Sequence, residues 1–256
     1  MTLPLLFGVF VLGLMIGSFL NVCISRLPEG ESVVSPRSRC PTCRTEIAWY
    51  DNIPVLSYVL LGGQCRKCQT PIGALYPLIE LTTAGAFTIQ AMVHGDDLPL
   101  LTVRLLFTAL LIVLFGTDLQ TMRLPNVITY PGIVMGLAAS LFLPPGLLSS
   151  AIGAALGAAI PWLIRYVWWK ATGVEAMGLG DVKMLAMIGA FLGWQQVWVV
   201  LFISSLAGAV VGIVLLRVQG RSMATRIPFG TFLALAAYIA SVAGEPLVHW
   251  YLNLYK

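Results

Sequence analysis

Eight apolar runs constrain this chain more than any other feature. They lie near residues 3–24, 74–93, 98–117, 127–143, 149–169, 182–194, 196–216 and 229–247. About 20 apolar residues carry a helix across hydrocarbon. Lipid offers no water to an open backbone, so runs of this kind must be helical. The expected fold class is therefore an all-α polytopic membrane protein with about eight transmembrane helices. The run at 182–194 is short for a crossing, which leaves seven as the alternative count. Composition agrees: 58% of the 256 residues are hydrophobic and 10% are charged, against about a quarter charged in a soluble domain. The first run has no basic leader and no clear small-residue cleavage site, as expected of a retained span. The glycines at Gly153–Gly157 and Gly208–Gly212 predict close helix contacts. No internal repeat and no low-complexity segment are expected.

Basic residues orient the spans. The connection 25–73 holds Arg26, Arg37, Arg39, Arg44, Arg66 and Lys67. Arg123, then Arg165, Lys170 and Lys183, then Arg217, Arg221 and Arg226 follow the third, fifth and seventh runs. With eight crossings all of these fall on one face, which the positive-inside rule makes cytoplasmic, with both termini on the other side. Arg104 and Lys256 are the exceptions. The formal net charge of +4 does not by itself imply a nucleic-acid partner; the expected surroundings are a lipid bilayer.

Within that frame, Asp118 in FGTDLQTMRLPN and Asp181 in MGLGDVKML stand at the edges of apolar runs. Both reach the cytoplasmic edge. A carboxylate beside hydrocarbon is costly and often functional. Two close together share one proton, which lets one accept a proton from water while the other donates to a peptide carbonyl. Gly178 and Gly180 permit close approach of a substrate chain. Asp181, at a helix start, is the expected base, and Asp118 the acid. The residues alone leave a second reading open, with Asp181 as a helix N-cap and Asp118 as an interfacial residue paired with Arg123.

Four cysteines form two knuckles, Cys40–Cys43 and Cys65–Cys68, with 21 residues between them. Such pairs supply four thiolates to a structural zinc, and four thiolates leave no open catalytic position. On the cytoplasmic side disulfides are disfavoured. Cys23, in the first run, is expected to be a buried filler. Glu80, inside the second run, has two readings: a functional intramembrane carboxylate, or one that snorkels toward an arginine. Asn21 and the segment 226–230 are expected to be structural. His94 and His249 have no partner at ligand spacing, and no role is assigned to them. No GxSxG, HExxH, P-loop or GxGxxG fingerprint is present.

Several stretches carry a family resemblance. They are GSFLNVCISRLP at 17–28, the cysteine segment 40–72, YPLIE at 76–80, the aspartate-to-proline spacing Asp118–Pro125, GLGDVKMLAMIGAFLGW at 178–194 and IPFG at 227–230. Together they resemble the bacterial type IV prepilin peptidases, a family of GxGD-type aspartic proteases. The resemblance implies that Asp118 and Asp181 are the catalytic dyad. It implies cleavage of the basic leader of type IV prepilins and type II secretion pseudopilins after a glycine. It further implies N-methylation of the new terminus with S-adenosylmethionine, since the four cysteines belong to bifunctional members. Gly63, in the LGG before Cys65, is the candidate for methyl transfer. The implied place is the bacterial inner membrane, with the active site and zinc loop at the cytoplasmic face. The implied partners are prepilin and pseudopilin N-terminal segments; oligomeric state is not legible.

The expected division is a first transmembrane helix at 1–25, a four-cysteine zinc-knuckle domain at 26–73 associated with methyl transfer, and a transmembrane peptidase domain at 74–256. Glu29, Glu31, Glu46 and Asp51 are candidates to attract a basic leader. The rival readings are a GxGD intramembrane protease without methyl transfer, an ion-coupled transporter, and a zinc-ribbon membrane scaffold without catalysis.

Overall fold

The computed structural model describes residues 2–174, 177–219 and 228–253. Arg221, Arg226 and Lys256 of the basic pattern, Ile227 of IPFG and the side chain of His249 lie outside the described residues. Each apolar run becomes a helix: α1 (Leu3–Arg26), α3 (Leu75–His94), α4 (Leu98–Thr121), α5 (Asn126–Ala139), α6 (Leu147–Thr172), α7 (Leu179–Leu192), α8 (Trp194–Gln219) and α9 (Phe229–Asn253). The 25–73 connection adds the short α2 (Leu56–Leu60) and 3-10 turns at Leu27–Glu29 and Trp49–Asn52.

Among the described residues, four segments are long and apolar enough to cross a membrane: Leu3–Glu29, Leu98–Thr121, Leu147–Thr172 and Trp194–Leu215. Helices α5 and α7 have 14 residues each, or about 21 Å at the α-helical rise. Helix α5 stops short of the apolar run that predicts it. Leu141–Leu143 are apolar but lie in turns, and Pro144–Pro145 cannot extend a helix. Helix α6 ends at Gly173, whose left-handed backbone (φ 72°) lets its N–H reach Trp169 O.

Packing groups the chain into two compact units, Met1–Val113 and Leu114–Lys256. The boundary falls inside α4, whereas composition changes near 25 and 73. The first run groups with the second because α1 and α3 form a close antiparallel pair. Gly13 meets Ala84, and a Cβ at Gly17 would fall 2.7 Å from Glu80 Cα. Further along the same seam, Asn21 Nδ2 donates to Tyr76 O at 3.0 Å, the structural role expected of it. Cys23 is buried in α1, also as expected.

In the second unit α7 packs against α5, α6, α8 and α9, and Met184–Leu192 are all buried. Gly153 lies against Gly189 and Gly157 against Leu185, backbone on backbone, with no space for a side chain. That contact bears out the expectation for Gly153 and Gly157. The seam at Gly208 is looser, since a Cβ there would sit 3.7 Å from Phe232. Small and polar residues such as Thr83, Ser150 and Ser204 are buried, while Phe7, Phe142 and Phe202 are exposed. Helices solvated by lipid pack this way, with small residues at their contacts and apolar bulk outward.

Candidate active site and metal centre

The two aspartates sit at helix ends in the second unit. Asp118 lies in the last turn of α4, where its own helix dipole disfavours an anion. The start of α9 compensates. Thr231 donates to Asp118 Oδ2 through its N–H at 2.8 Å and its hydroxyl at 3.0 Å, and the Gly230 N–H adds a third donor. Asp118 is 5% exposed. The donors described for it therefore belong to a helix start.

Asp181 is not the N-cap of α7. Gly178 is the N-cap, and Asp181 occupies the first turn, accepting a hydrogen bond from the Gly178 N–H. This is the reach of an N3 acid back to the cap. The starts of α7 and α9 thus each direct backbone N–H groups at one carboxylate, the arrangement that favours anions at helix N-termini.

One side chain joins the two helix starts. A Cβ on Gly180 would fall 3.0 Å from Leu124 Cβ, and one on Gly230 would fall 3.1 Å from Leu124 Cδ1 and 3.0 Å from Asp118 Oδ2. Leu124 therefore touches the backbone beside Asp181 and the backbone that binds Asp118. The spacing from Asp118 to Pro125 has a local cause. Met122 is left-handed (φ 53°) and its N–H bonds Asp118 O, closing α4. The chain then turns through Leu124 and Pro125 into α5, whose Asn126 accepts a hydrogen bond from Lys183 at 2.9 Å. Sequence reasoning missed Thr231, Gly230 and Leu124. The available signal was the helix start after Pro228, whose first turn carries Gly and Thr.

In the first unit the four cysteine sulfurs lie within 4.8 Å of one another. Cys40 and Cys68 are 3.7 Å apart, and Cys43 and Cys65 are 4.0 Å apart. A zinc bound tetrahedrally at about 2.3 Å spaces its sulfurs by about 3.8 Å, so the donor set fits that ion. The thiols are free, with no disulfide. Each knuckle is built alike. Cys40 N–H bonds Thr45 O and Arg44 N–H bonds Cys40 O; Cys65 N–H bonds Thr70 O and Gln69 N–H bonds Cys65 O. Arg44 and Gln69 are both left-handed (φ 55° and 56°). The two segments, CPTCRTEI and CRKCQTPI, share the pattern C-x2-C-x-T-x-I. The chain therefore does hold a short internal repeat, contrary to the expectation of none. Hydrogen bonding by Thr70 lowers the Cys68 thiol to about 6, so its thiolate forms near neutrality.

Gly63 precedes the second knuckle with φ 70° and accepts a hydrogen bond from Ile72 N–H. A Cβ there would sit 3.0 Å from the Tyr58 ring. Asp51 is engaged by Arg66, with contacts of 2.6, 2.8 and 3.1 Å. It is therefore no longer an unpaired acid available to a leader. Glu80 is 8% exposed, and its partners among the described residues are not arginines. Its Oε2 accepts from Val55 N–H at 2.7 Å, and Ser18 supplies a second hydrogen bond.

Taken together, fold and site define a helical protein with four segments able to cross a membrane, four clustered cysteines that could hold a metal ion, and two aspartates each bonded by a helix start. The chain belongs to the type IV leader peptidase family, which it matches over residues 105–213, and residues 11–94 match the bacterial peptidase A24 N-terminal domain. It is 40% identical to a prepilin leader peptidase/N-methyltransferase of Aeromonas hydrophila, across 96% of this chain and 93% of that protein. A protein of the same name from Pseudomonas aeruginosa is 37% identical, across 95% and 92%. No solved structure matches.

Proposed function

We propose that this chain is a membrane aspartic endopeptidase that removes the leader of type IV prepilins and type II secretion pseudopilins after a glycine. It then methylates the new amino terminus with S-adenosylmethionine. Family membership across nearly the whole chain supports both reactions. The observation that supports the peptidase step is the convergence of the starts of α7 and α9 on Leu124, with Asp181 in the first turn of α7 and the donors of Asp118 in the first turn of α9.

In the proposed mechanism Asp118 works as the carboxylate, because two N–H groups and a hydroxyl stabilise its charge. Asp181, with the Gly178 N–H alone, carries the shared proton. Asp118 takes a proton from water as the water attacks the scissile carbonyl. Asp181 gives its proton to the carbonyl oxygen. This assignment reverses the one expected from sequence. Gly180, free of a side chain, lets Leu124 pack against the backbone beside Asp181, and Gly178 leaves the Asp181 carboxylate uncovered on its side.

Cys40, Cys43, Cys65 and Cys68 would hold a structural zinc, which supplies a cross-link to a loop too small to fold alone. The methyl-transfer candidate is Gly63, where both the left-handed backbone and the Tyr58 ring require glycine. The chain is read as crossing the bacterial inner membrane eight times, with site and knuckles at the cytoplasmic face, as the basic residues direct. A basic leader would stay on that face while its apolar helix enters lipid. The division into a first helix at 1–25, a knuckle domain at 26–73 and a peptidase domain at 74–256 stands as a functional proposal.

The test is to incubate detergent-purified protein with a prepilin and labelled S-adenosylmethionine. Leader loss and label on the mature terminus are expected. Loss of neither activity in Asp118→Asn or Asp181→Asn protein would sink the dyad.

A further inference from the structure

Helix α2 is folded inside out. Its outward face is Leu56, Val59 and Leu60, one face at helical spacing, and its buried residue is Ser57. Ser57 turns its hydroxyl inward, donating to Tyr50 O at 2.8 Å and accepting from Ile53 N–H at 3.1 Å. Val59 is 67% exposed, Leu60 75% and Trp49 82%. Water does not select such a surface, whereas a lipid interface does.

The segment's depth can be read from its attachment. Val55 N–H bonds Glu80, and Glu80 faces Gly17. Gly17 lies nine residues before the end of α1 at Arg26 (26 − 17), or about 13 Å along the helix axis. A glutamate side chain reaches back only part of that distance. On α3 itself Glu80 lies five residues after the start at Leu75 (80 − 75), about 7.5 Å along the axis, so Val55 lies beside the α1/α3 pair level with the first turns of α3, where headgroups give way to acyl chains. The backbone there is unusual. Val55, a β-branched residue, has φ 60° and ψ −48°, with Leu56 N–H bonding Pro54 O. This is the rare left-handed γ-turn. Irregular backbone at membrane depth needs its polar groups satisfied within the protein, and Glu80 accepts the N–H that this turn leaves unpaired.

We infer that residues 49–60 form an interfacial wedge inserted into the bilayer, latched to α3 by Glu80, with phospholipid acyl chains as the occupant of the Leu56/Val59/Leu60 face. The inference rests on the reading that α1 and α3 cross the membrane.

The experiment places the photo-crosslinking residue p-benzoyl-phenylalanine at Val59 or Leu60 of the full chain in phospholipid nanodiscs. Glu46, on the first knuckle, is the aqueous control, and Phe7, exposed on α1, is the lipid control. Mass spectrometry should find lipid adducts at 59 and 60 at least about fivefold above Glu46 and comparable to Phe7. Adducts at Phe7 but not at 59 or 60 overturn the wedge alone. Absence at all three positions overturns the membrane reading and the wedge with it. With prepilin added, label moving from lipid to the pilin would make this a substrate surface and overturn the lipid assignment. Glu80→Ala should lower the lipid yield at position 60 several-fold, and Val55→Gly, which adopts the turn without strain, should leave it unchanged. An unchanged yield in Glu80→Ala overturns the latch.

Discussion

Thr231 is the residue on which the carboxylate pair most visibly depends. Its N–H and hydroxyl both reach one oxygen of Asp118, so a substitution can remove one donor and keep the other. Thr231→Val keeps shape and backbone but deletes the hydroxyl. A hydrogen bond to a charged group contributes about 1.5–3 kcal/mol, so leader cleavage should slow by roughly ten- to a hundredfold. KM should be nearly unchanged, and Thr231→Ser should restore most of the rate. A Thr231→Val enzyme with normal kcat would show that the hydroxyl does not serve the pair. Gly230→Ala tests the same corner by volume. Its Cβ would arrive 3.0 Å from Asp118 Oδ2 and 3.1 Å from Leu124, and steady-state kinetics should show cleavage falling at least as far as in Thr231→Val. The sequence marks the helix start after Pro228 but not what that start binds. The contact from Asp118 to Thr231 spans 113 positions, and a Thr after Pro-Phe-Gly carries no mark of its distant partner.

At the scale of elements, the hydrophobic runs made the helices legible because lipid permits little else. They erred where an apolar residue is not in a helix, as at Leu141–Leu143. The knuckles were legible in their cysteines, and their equivalence in the shared C-x2-C-x-T-x-I pattern; the left-handed Arg44 and Gln69 that close each knuckle were not, because neither residue type favours that backbone. The α2 turn was illegible for another reason: the N–H that it leaves at Val55 is satisfied by Glu80, on another helix. Glycine spacing did forecast the α6–α7 seam. There Gly157 meets the Leu185 carbonyl and Gly153 meets the backbone of Gly189. Backbone cannot move aside as a side chain can, so Gly157→Val should destabilise by at least the 1–3 kcal/mol typical of overpacking. The thermal midpoint in detergent should fall, and cleavage should be lost with it, because α7 carries Asp181. Gly208→Ala, at a seam with ordinary clearance, should leave the midpoint within experimental spread; equal effects at the two sites would mean that helix proximity does not govern tolerance.

For the molecule as a whole, the two proposed chemistries occupy different compact units. The four thiolates belong to Met1–Val113, and both aspartates with all their donors belong to Leu114–Lys256. No hydrogen bond described for the aspartate pair comes from the first unit. The two knuckles are joined to each other by their cysteines and the Asp51–Arg66 pair, and each is closed by one isolated bridge. In so small a loop, metal affinity is folding free energy. Removing the ion should therefore unfold the knuckles without disturbing the starts of α7 and α9. Purified protein should carry about one zinc per chain, as one tetrahedral set of thiolates requires. After chelation, or in Cys43→Ser and Cys68→Ser variants, methyl transfer should fall by more than roughly tenfold while leader cleavage stays within about twofold, since only the first unit's fold depends on the metal. Following both products from one incubation makes the comparison internal. If cleavage and methylation fell together as zinc was removed, the knuckles would be needed to present the substrate to both sites. If neither fell, the tetrathiolate would be a fold element with no part in the chemistry.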